Sequence, residues 1–160
     1  MRGDDVLSDR RTPARGKAGD ATVAPMSERT VVVSGAASGF ANEIVIGPHR
    51  IPADEPVDME GTDTGPMPME LLCAALGACT SMTVGVYARK RGIPLEHVVV
   101  TLDYEKVTPP AGGRADTIRR AIQLTGDLSE EQRAKLLEIA NKCPVHKALT
   151  AGVDVSSRLV

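Results

Sequence analysis

The sequence is poor in aromatic residues and carries little excess charge. Among its 160 residues there is no Trp, one Phe and two Tyr, and the formal net charge is -2. A nucleic-acid partner would need a basic surface to meet phosphates and aromatic rings to stack against bases. We therefore expect no nucleic-acid partner, and a core built from aliphatic residues and Met.

Cysteines are also few, with Cys73, Cys79 and Cys143 as the complete set. Three thiols in a chain of this length do not form the disulfide framework of a small secreted protein. No stretch has the roughly 18 charge-free apolar residues of a membrane helix, because the nearest one, Met69–Ala88, includes Glu70 and several small polar residues. The N-terminus has no apolar signal-peptide run either. These absences predict a cytoplasmic protein that has no membrane partner.

The first 28 residues mix basic and acidic side chains, and their apolar residues follow no period. This composition is typical of a disordered tail. We therefore expect a disordered N-terminal tail at residues 1–28 and one folded domain at residues 29–160, which is an ordinary size for one domain.

Alternating apolar residues and turn signals in the folded part predict the element order β-β-β-α-β-β-α-β. Short loops join consecutive strands, so the strands are expected to be antiparallel and the fold to be α+β. The predicted strands are Thr30–Ser34, Phe40–Ile46, His49–Ile51, Val98–Val107, Thr117–Thr125 and Val153–Ser157.

The first predicted helix begins near Pro66 or Pro68 and ends at Lys90 or Arg91, where Gly92 suits a left-handed cap. It is apolar or small on almost every side. A helix without a polar face has to be buried all round, and one small domain can hardly surround it. We infer that a second copy of the chain covers part of this helix.

The second predicted helix starts at Ser129, where Gln132 can close a capping box. It is expected to end at Cys143, because a proline follows. A short turn of helix, Pro144–Leu149, then leads to the last strand.

Cys79 and Cys143 are the candidate reactive thiols. Cys79 lies mid-helix, where a small core residue is the simpler interpretation. Cys143 lies at a helix junction, where free backbone N–H groups and the nearby Lys142 and His146 favour a thiolate, although an inert cap residue fits equally well. Cys73 is six residues before Cys79, about 240° away around the helix, and is interpreted as packing.

Metal ligation and the remaining charged residues have simpler explanations. Cys143 and His146 make only half a zinc site, so neither a metal nor another cofactor is expected. Glu70 suits the positive end of the first helix. Arg50 is predicted to be exposed on a turn, and Asp54 to lie in a solvated loop.

Three stretches of the sequence resemble the OsmC/Ohr family of thiol-dependent hydroperoxide reductases. The resemblance covers about residues 30–160 and includes both candidate cysteines in their local contexts. The stretches are His49–Pro56, Gly65–Thr80 and Ala140–His146.

The resemblance implies an intertwined homodimer in which antiparallel sheets surround two central helices, with the active site at the subunit interface. It also implies that Cys79 attacks an organic hydroperoxide or hydrogen peroxide and becomes a sulfenic acid. Cys143 would then condense with it to a disulfide. A dithiol reductant, lipoyl-linked in parts of the family, would restore the two thiols.

One feature of the family's peroxidases is absent from its usual place. Those members hold the reactive thiolate with an arginine from the early hairpin, which is paired with a glutamate at the helix start. Here Met69 occupies the glutamate position, Glu70 comes one residue later, and the hairpin Val31–Ile46 contains no arginine. Arg50 is the nearest substitute. Two alternatives therefore remain: a redox-responsive or accessory binding domain without efficient peroxidase activity, and a dimer with structural cysteines that binds a small apolar molecule.

Overall fold

The computed structural model describes residues 30–107 and 115–159. The described chain forms two antiparallel sheets, three α-helices and a short 3-10 turn at Val57–Met59, so the α+β prediction is confirmed. The strands are β1 (Val31–Gly35), β2 (Asn42–Ile46), β3 (His49–Ala53), β4 (Leu95–Val107) and β5 (Ala115–Gly126). The helices are α1 (Pro68–Arg91), α2 (Glu130–Ala140) and α3 (Pro144–Ala151).

The two sheets are separate within one protomer. The first has the order β1-β2-β3, and the second is the long β4-β5 hairpin. In β4 the more buried side chains alternate as predicted, with Val98, Val100, Leu102 and Tyr104 on one face. Helix α1 packs on this face, so closely that a Cβ atom at Gly77 would lie 2.9 Å from the Leu102 side chain.

The bounds of α1 agree with the local signals in its sequence. Pro68 occupies the first turn, and Gly92 adopts a left-handed conformation with φ of 62° at the C-terminal cap. The core then forms where α1 meets α2, and it is extended by apolar residues of the hairpin. Its most buried members are Val84, Ala88, Leu128, Leu136 and Ala140.

Two predicted elements differ from the structure. Val153–Ser157 was expected to be a strand, and this prediction is wrong, because residues 152–159 have no regular structure. A strand needs a neighbour to accept its backbone hydrogen bonds, and this segment leaves Val153 and Val155 69% and 85% exposed. The chain therefore ends β-α-α instead of β-α-β.

The end of α2 is the second difference. Ser129 and Gln132 form the predicted capping box, but α2 ends at Ala140, three residues before Cys143. Asn141 and Lys142 make a turn, so Cys143 becomes the N-cap of α3. The predicted disordered tail at residues 1–28 lies outside the described residues, and the domain bounds 29–160 stay a prediction.

Helix α1 is covered only in part by its own protomer. It is long and apolar enough to cross a membrane by length and composition alone, a test that core helices of soluble proteins also pass. Only 28% of its most apolar window is buried. Met82 and Val86 are 69% and 41% exposed, beside the first residues of β4.

The loop between β3 and α1 is organised by a buried carboxylate. Asp54 is 2% exposed, so the expectation of a solvated side chain is wrong at this position. One carboxylate oxygen accepts hydrogen bonds from the backbone and hydroxyl groups of both Thr62 and Thr64, and the other accepts from the Glu55 backbone. These donors, first the Thr62 hydroxyl, hold the pKa of Asp54 well below its usual range despite the opposing effect of burial.

Replacing Asp54 by asparagine is expected to lower the thermal midpoint at pH 7. The folded-state pKa is depressed, so the carboxylate contributes fully above its unfolded pKa of about 3.9, and this contribution is lost as the pH falls further. Differential scanning calorimetry should show the gap between wild type and Asp54→Asn narrowing below about pH 4. Asp58→Asn, at an exposed position of the same loop, is the control. Equal midpoints at pH 7 would contradict the assignment.

Candidate functional site

The fold brings Cys79 and Cys143 together from distant parts of the chain. Cys79 lies in the middle of α1, and Cys143 caps the N-terminus of α3, which packs against α1. The Cys79 thiol lies close enough to the Cys143 sulfur to help lower the pKa of Cys143. Both thiols are free; Cys143 is 0% exposed, whereas Cys79 is half-buried. The two sulfurs therefore share one site within a single protomer.

The surroundings of Cys143 favour a thiolate. Burial by itself would raise the pKa of Cys143, but several donors and a charge outweigh it, so the pKa lies below its ordinary value. The backbone N–H of His146 donates to the sulfur at 3.3 Å. The hydroxyl oxygen of Thr80 lies 3.8 Å from the same sulfur, and Arg120 supplies the nearby positive charge.

Arg120 is a residue of this site that the sequence analysis missed. Its guanidinium donates to the Thr80 hydroxyl at 2.8 Å, to Asn141 Oδ1 at 2.7 Å and to the Ala140 carbonyl at 3.4 Å. The signal was present in β5, where every second side chain faces the helices. Ile118, Ile122 and Leu124 are apolar in that series, and the charged Arg120 lies between them.

The two predicted supporting charges lie elsewhere in the protomer. Glu70 accepts a hydrogen bond from the Met67 backbone at 2.9 Å and closes the N-terminus of α1. Arg50 forms an exposed ion pair with Glu43 at 2.8 Å, across β2 and β3. Within the described ranges, no hydrogen bond or ion pair joins Glu70 or Arg50 to Cys79 or Cys143.

Cys73 lies apart from this pair. It faces a cavity of about 440 Å³ whose lining also includes Glu70, Leu102 and Asp103. Burial raises the pKa of Cys73, and the carboxylates of Glu70 and Asp103 raise it further. Cys73 is thus a protonated thiol at neutral pH, on a different side of α1 from the Cys79–Cys143 pair.

His146 contributes to the site in two ways. Its backbone contacts Cys143, and its side chain lines a second cavity, of about 390 Å³, between α1, β5 and α3. Apolar side chains make up most of this wall, among them Leu72, Leu76, Ile118 and Leu149. The described residues contain no group of three or more His, Cys, Asp or Glu side chains that could hold a metal ion.

Three solved structures illustrate the likeness of the fold. An OsmC-like protein from Mycoplasma pneumoniae has 18% identity and a TM-score of 0.66, covering 76% of this chain and 86% of that one. The organic hydroperoxide resistance protein OsmC from Legionella pneumophila has 22% identity and a TM-score of 0.61, covering 78% and 92%. OhrB of Bacillus subtilis, also an organic hydroperoxide resistance protein, has 22% identity and a TM-score of 0.58, covering 78% and 92%.

Sequence comparison gives a family as well as a fold. No curated protein matches the chain. The family model described as "OsmC-like protein" matches residues 61–158, which include α1, the β4-β5 hairpin, α2, α3 and both cysteines of the site. The chain therefore belongs to the OsmC-like family.

Proposed function

We propose that this protein is a thiol-dependent peroxidase that reduces organic hydroperoxides or hydrogen peroxide through Cys79 and Cys143. The observation that carries the proposal is that two free thiols lie close together, and that Thr80 connects one of them, Cys143, to the Arg120 guanidinium. Membership of the OsmC-like family supports a role in peroxide detoxification. The half-buried Cys79 is the more accessible of the two sulfurs, so it is the one that meets the peroxide.

The pair supplies the proton transfers that this reaction needs. The Cys143 thiolate accepts the Cys79 proton, and the Cys79 thiolate attacks one peroxide oxygen. An S–O bond forms, the O–O bond breaks, and the alkoxide leaves and is protonated to the alcohol. The Cys143 sulfur then attacks the Cys79 sulfenic acid, giving the disulfide and water. A dithiol donates two electrons to restore both cysteines.

The cavity beside His146 adjoins the turn that holds Cys143, and its lining favours an organic peroxide as substrate. Its wall is mostly apolar, and burial of apolar surface is the main source of affinity for a hydrocarbon group. Hydrogen peroxide would gain nothing from such a wall. The reductant is a dithiol in the cytoplasm, where the two free thiols would also persist between oxidations.

We propose further that the working form is a homodimer. One protomer has a large uncovered apolar surface. It consists of the exposed apolar side of α1 and three valines of β1 that are each just over half exposed, Val31, Val32 and Val33. The exposed Val153 and Val155 add to it. A second protomer would bury this surface and provide the missing neighbour for the C-terminal segment.

Peptide mapping after oxidation tests the proposed chemistry. One equivalent of cumene hydroperoxide is expected to convert reduced wild type to a form with a Cys79–Cys143 disulfide and a free Cys73 thiol. Mass spectrometry of non-reduced peptides identifies the linked pair. Recovery of unmodified Cys79, or of a disulfide that includes Cys73, would contradict the proposal.

The alternative is a redox-responsive or accessory domain without efficient peroxidase activity. The observation that favours it is the lack of an arginine in the hairpin Val31–Ile46, together with the complete burial of Cys143 in the protomer. The two functions differ in rate. An accessory domain would form the same disulfide slowly, whereas a peroxidase would form it much faster than free cysteine reacts with the same peroxide.

A further inference from the structure

Arg120 is an unusual residue for its position on β5. Its register partner across the hairpin is Leu102, and its neighbours on the helix-facing side are Ile118 and Ile122. Placing a guanidinium on such a face costs desolvation free energy, which needs compensation by hydrogen bonds. The three acceptors described above are neutral oxygens from Thr80, Ala140 and Asn141. The described contacts therefore leave its positive charge available to an anion nearby.

Thr80 connects this charge to Cys143. Its hydroxyl oxygen accepts a hydrogen bond from Arg120. Its hydroxyl hydrogen can be donated either to the Leu76 carbonyl or to the Cys143 sulfur. When Cys143 is a thiol, its S–H can donate to Thr80 while Thr80 donates to the Leu76 carbonyl at 2.7 Å. When Cys143 is a thiolate, the Thr80 hydrogen can turn to the sulfur 3.8 Å away. Rotation of one hydroxyl group thus adapts the site to either charge state.

This arrangement has its clearest consequence when the disulfide is reopened. In thiol–disulfide exchange, the sulfur that is more stable as an anion leaves faster, and the more accessible sulfur is attacked. Cys143 has the Arg120–Thr80 connection and the His146 N–H, and it is fully buried in the protomer. Cys79 is half-buried and lies on the other side of the bond. The stability of the Cys143 thiolate and the accessibility of Cys79 therefore both favour attack at Cys79, with Cys143 as the leaving group.

We propose that Arg120 is a positioning residue that acts through Thr80 to hold Cys143 as the leaving thiolate, so that the reducing dithiol attacks Cys79. The inference rests on the disulfide of the proposed function. The attacking thiolate forms a mixed disulfide with Cys79, and the electron pair of the broken S–S bond goes to Cys143. The second thiol of the reductant then attacks the reductant sulfur of this mixed disulfide. Cys79 is released as a thiolate, and the reductant leaves with an internal disulfide.

Trapping with a monothiol tests the direction of attack. The disulfide is first made with diamide, without any peroxide, and is then exposed briefly to glutathione and quenched with acid. Mass spectrometry should find glutathione on Cys79. Glutathione on Cys143, or failure of diamide to link Cys79 to Cys143, would overturn the inference. The trapping experiment uses no peroxide, so it is independent of the peptide-mapping test with cumene hydroperoxide. If glutathione is found on Cys79 but cumene hydroperoxide fails to form the disulfide, only the proposed peroxidase activity is contradicted.

Equilibration with dithiothreitol tests the part assigned to Arg120. Arg120→Met should lose the stabilisation that Arg120 gives to the Cys143 thiolate of the reduced protein. Its disulfide should therefore be about tenfold harder to reduce, equivalent to a reduction potential about 30 mV more negative. Arg120→Lys should recover part of the difference. Arg119→Met is the matched control, because Arg119 is exposed on the opposite face of β5 and pairs with Glu105. Equal potentials for Arg120→Met and Arg119→Met would overturn the inference. If Arg120→Met does not fold, glutathione trapping in wild type still decides the direction.

Discussion

Replacing Cys79 by serine is expected to reduce hydroperoxide turnover to the rate given by the reductant alone. A serine hydroxyl is not ionised near neutral pH and cannot form a sulfenic acid, so no step of the proposed cycle remains. Cumene hydroperoxide consumption in the presence of dihydrolipoamide measures the loss. Cys73→Ala is the control, because Cys73 lies on a different side of α1 and its raised pKa keeps it protonated.

The same assay with Cys143→Ser separates the two thiols. This variant should still consume one equivalent of peroxide and accumulate a Cys79 sulfenic acid, which dimedone traps, while disulfide formation is lost. Its first oxidation should also be slower than in wild type, because the Cys143 thiolate no longer accepts the Cys79 proton. Wild-type turnover in Cys79→Ser would end the peroxidase proposal.

Replacing Met82 by glutamate is expected to convert the proposed dimer into monomers. Met82 is 69% exposed on the apolar side of α1, where the proposed second protomer would bury it. An unpaired carboxylate buried in such an interface costs several kcal/mol of association free energy. Each 4 kcal/mol lowers the association constant by about a thousandfold. Light scattering should show a mass of about twice the 16.9 kDa protomer for wild type and about once for Met82→Glu.

A charge change elsewhere on the same helix controls for general effects. Lys90→Glu alters an exposed residue in the last turn of α1 and should keep the dimer mass. A monomeric wild type would contradict the homodimer directly. A dimeric Met82→Glu would place the interface on another surface.

Local signals predicted the elements whose ends are determined by neighbouring residues. Proline at the start and Gly92 at the end of α1 act within one turn of the helix, as does the Ser129–Gln132 capping box. The C-terminal strand was wrong for the opposite reason. The alternation at Val153 and Val155 is real, but a strand also needs a paired neighbour, and within the described protomer this segment pairs with no sheet edge.

The site was predictable to a similar extent. Both cysteines could be selected from their sequence contexts, and the N-cap position of Cys143 followed from the helix junction. Arg120 could not be connected to them, because the link depends on how β5 packs across α1 and brings residue 120 beside residue 80. Asp54 was misjudged because its donors come from Thr62 and Thr64, later in the same loop.

The position of Cys73 also affects whether it can exchange into the proposed Cys79–Cys143 disulfide. Exchange between thiols and a disulfide proceeds through the thiolate, and its rate falls when the attacking sulfur stays protonated or cannot reach its target. Cys73 meets both conditions, because its pKa is raised and it faces the cavity beside Leu102 and Asp103. Under the proposed cycle, the Cys79–Cys143 cross-link would therefore form and reopen repeatedly without exchange with Cys73.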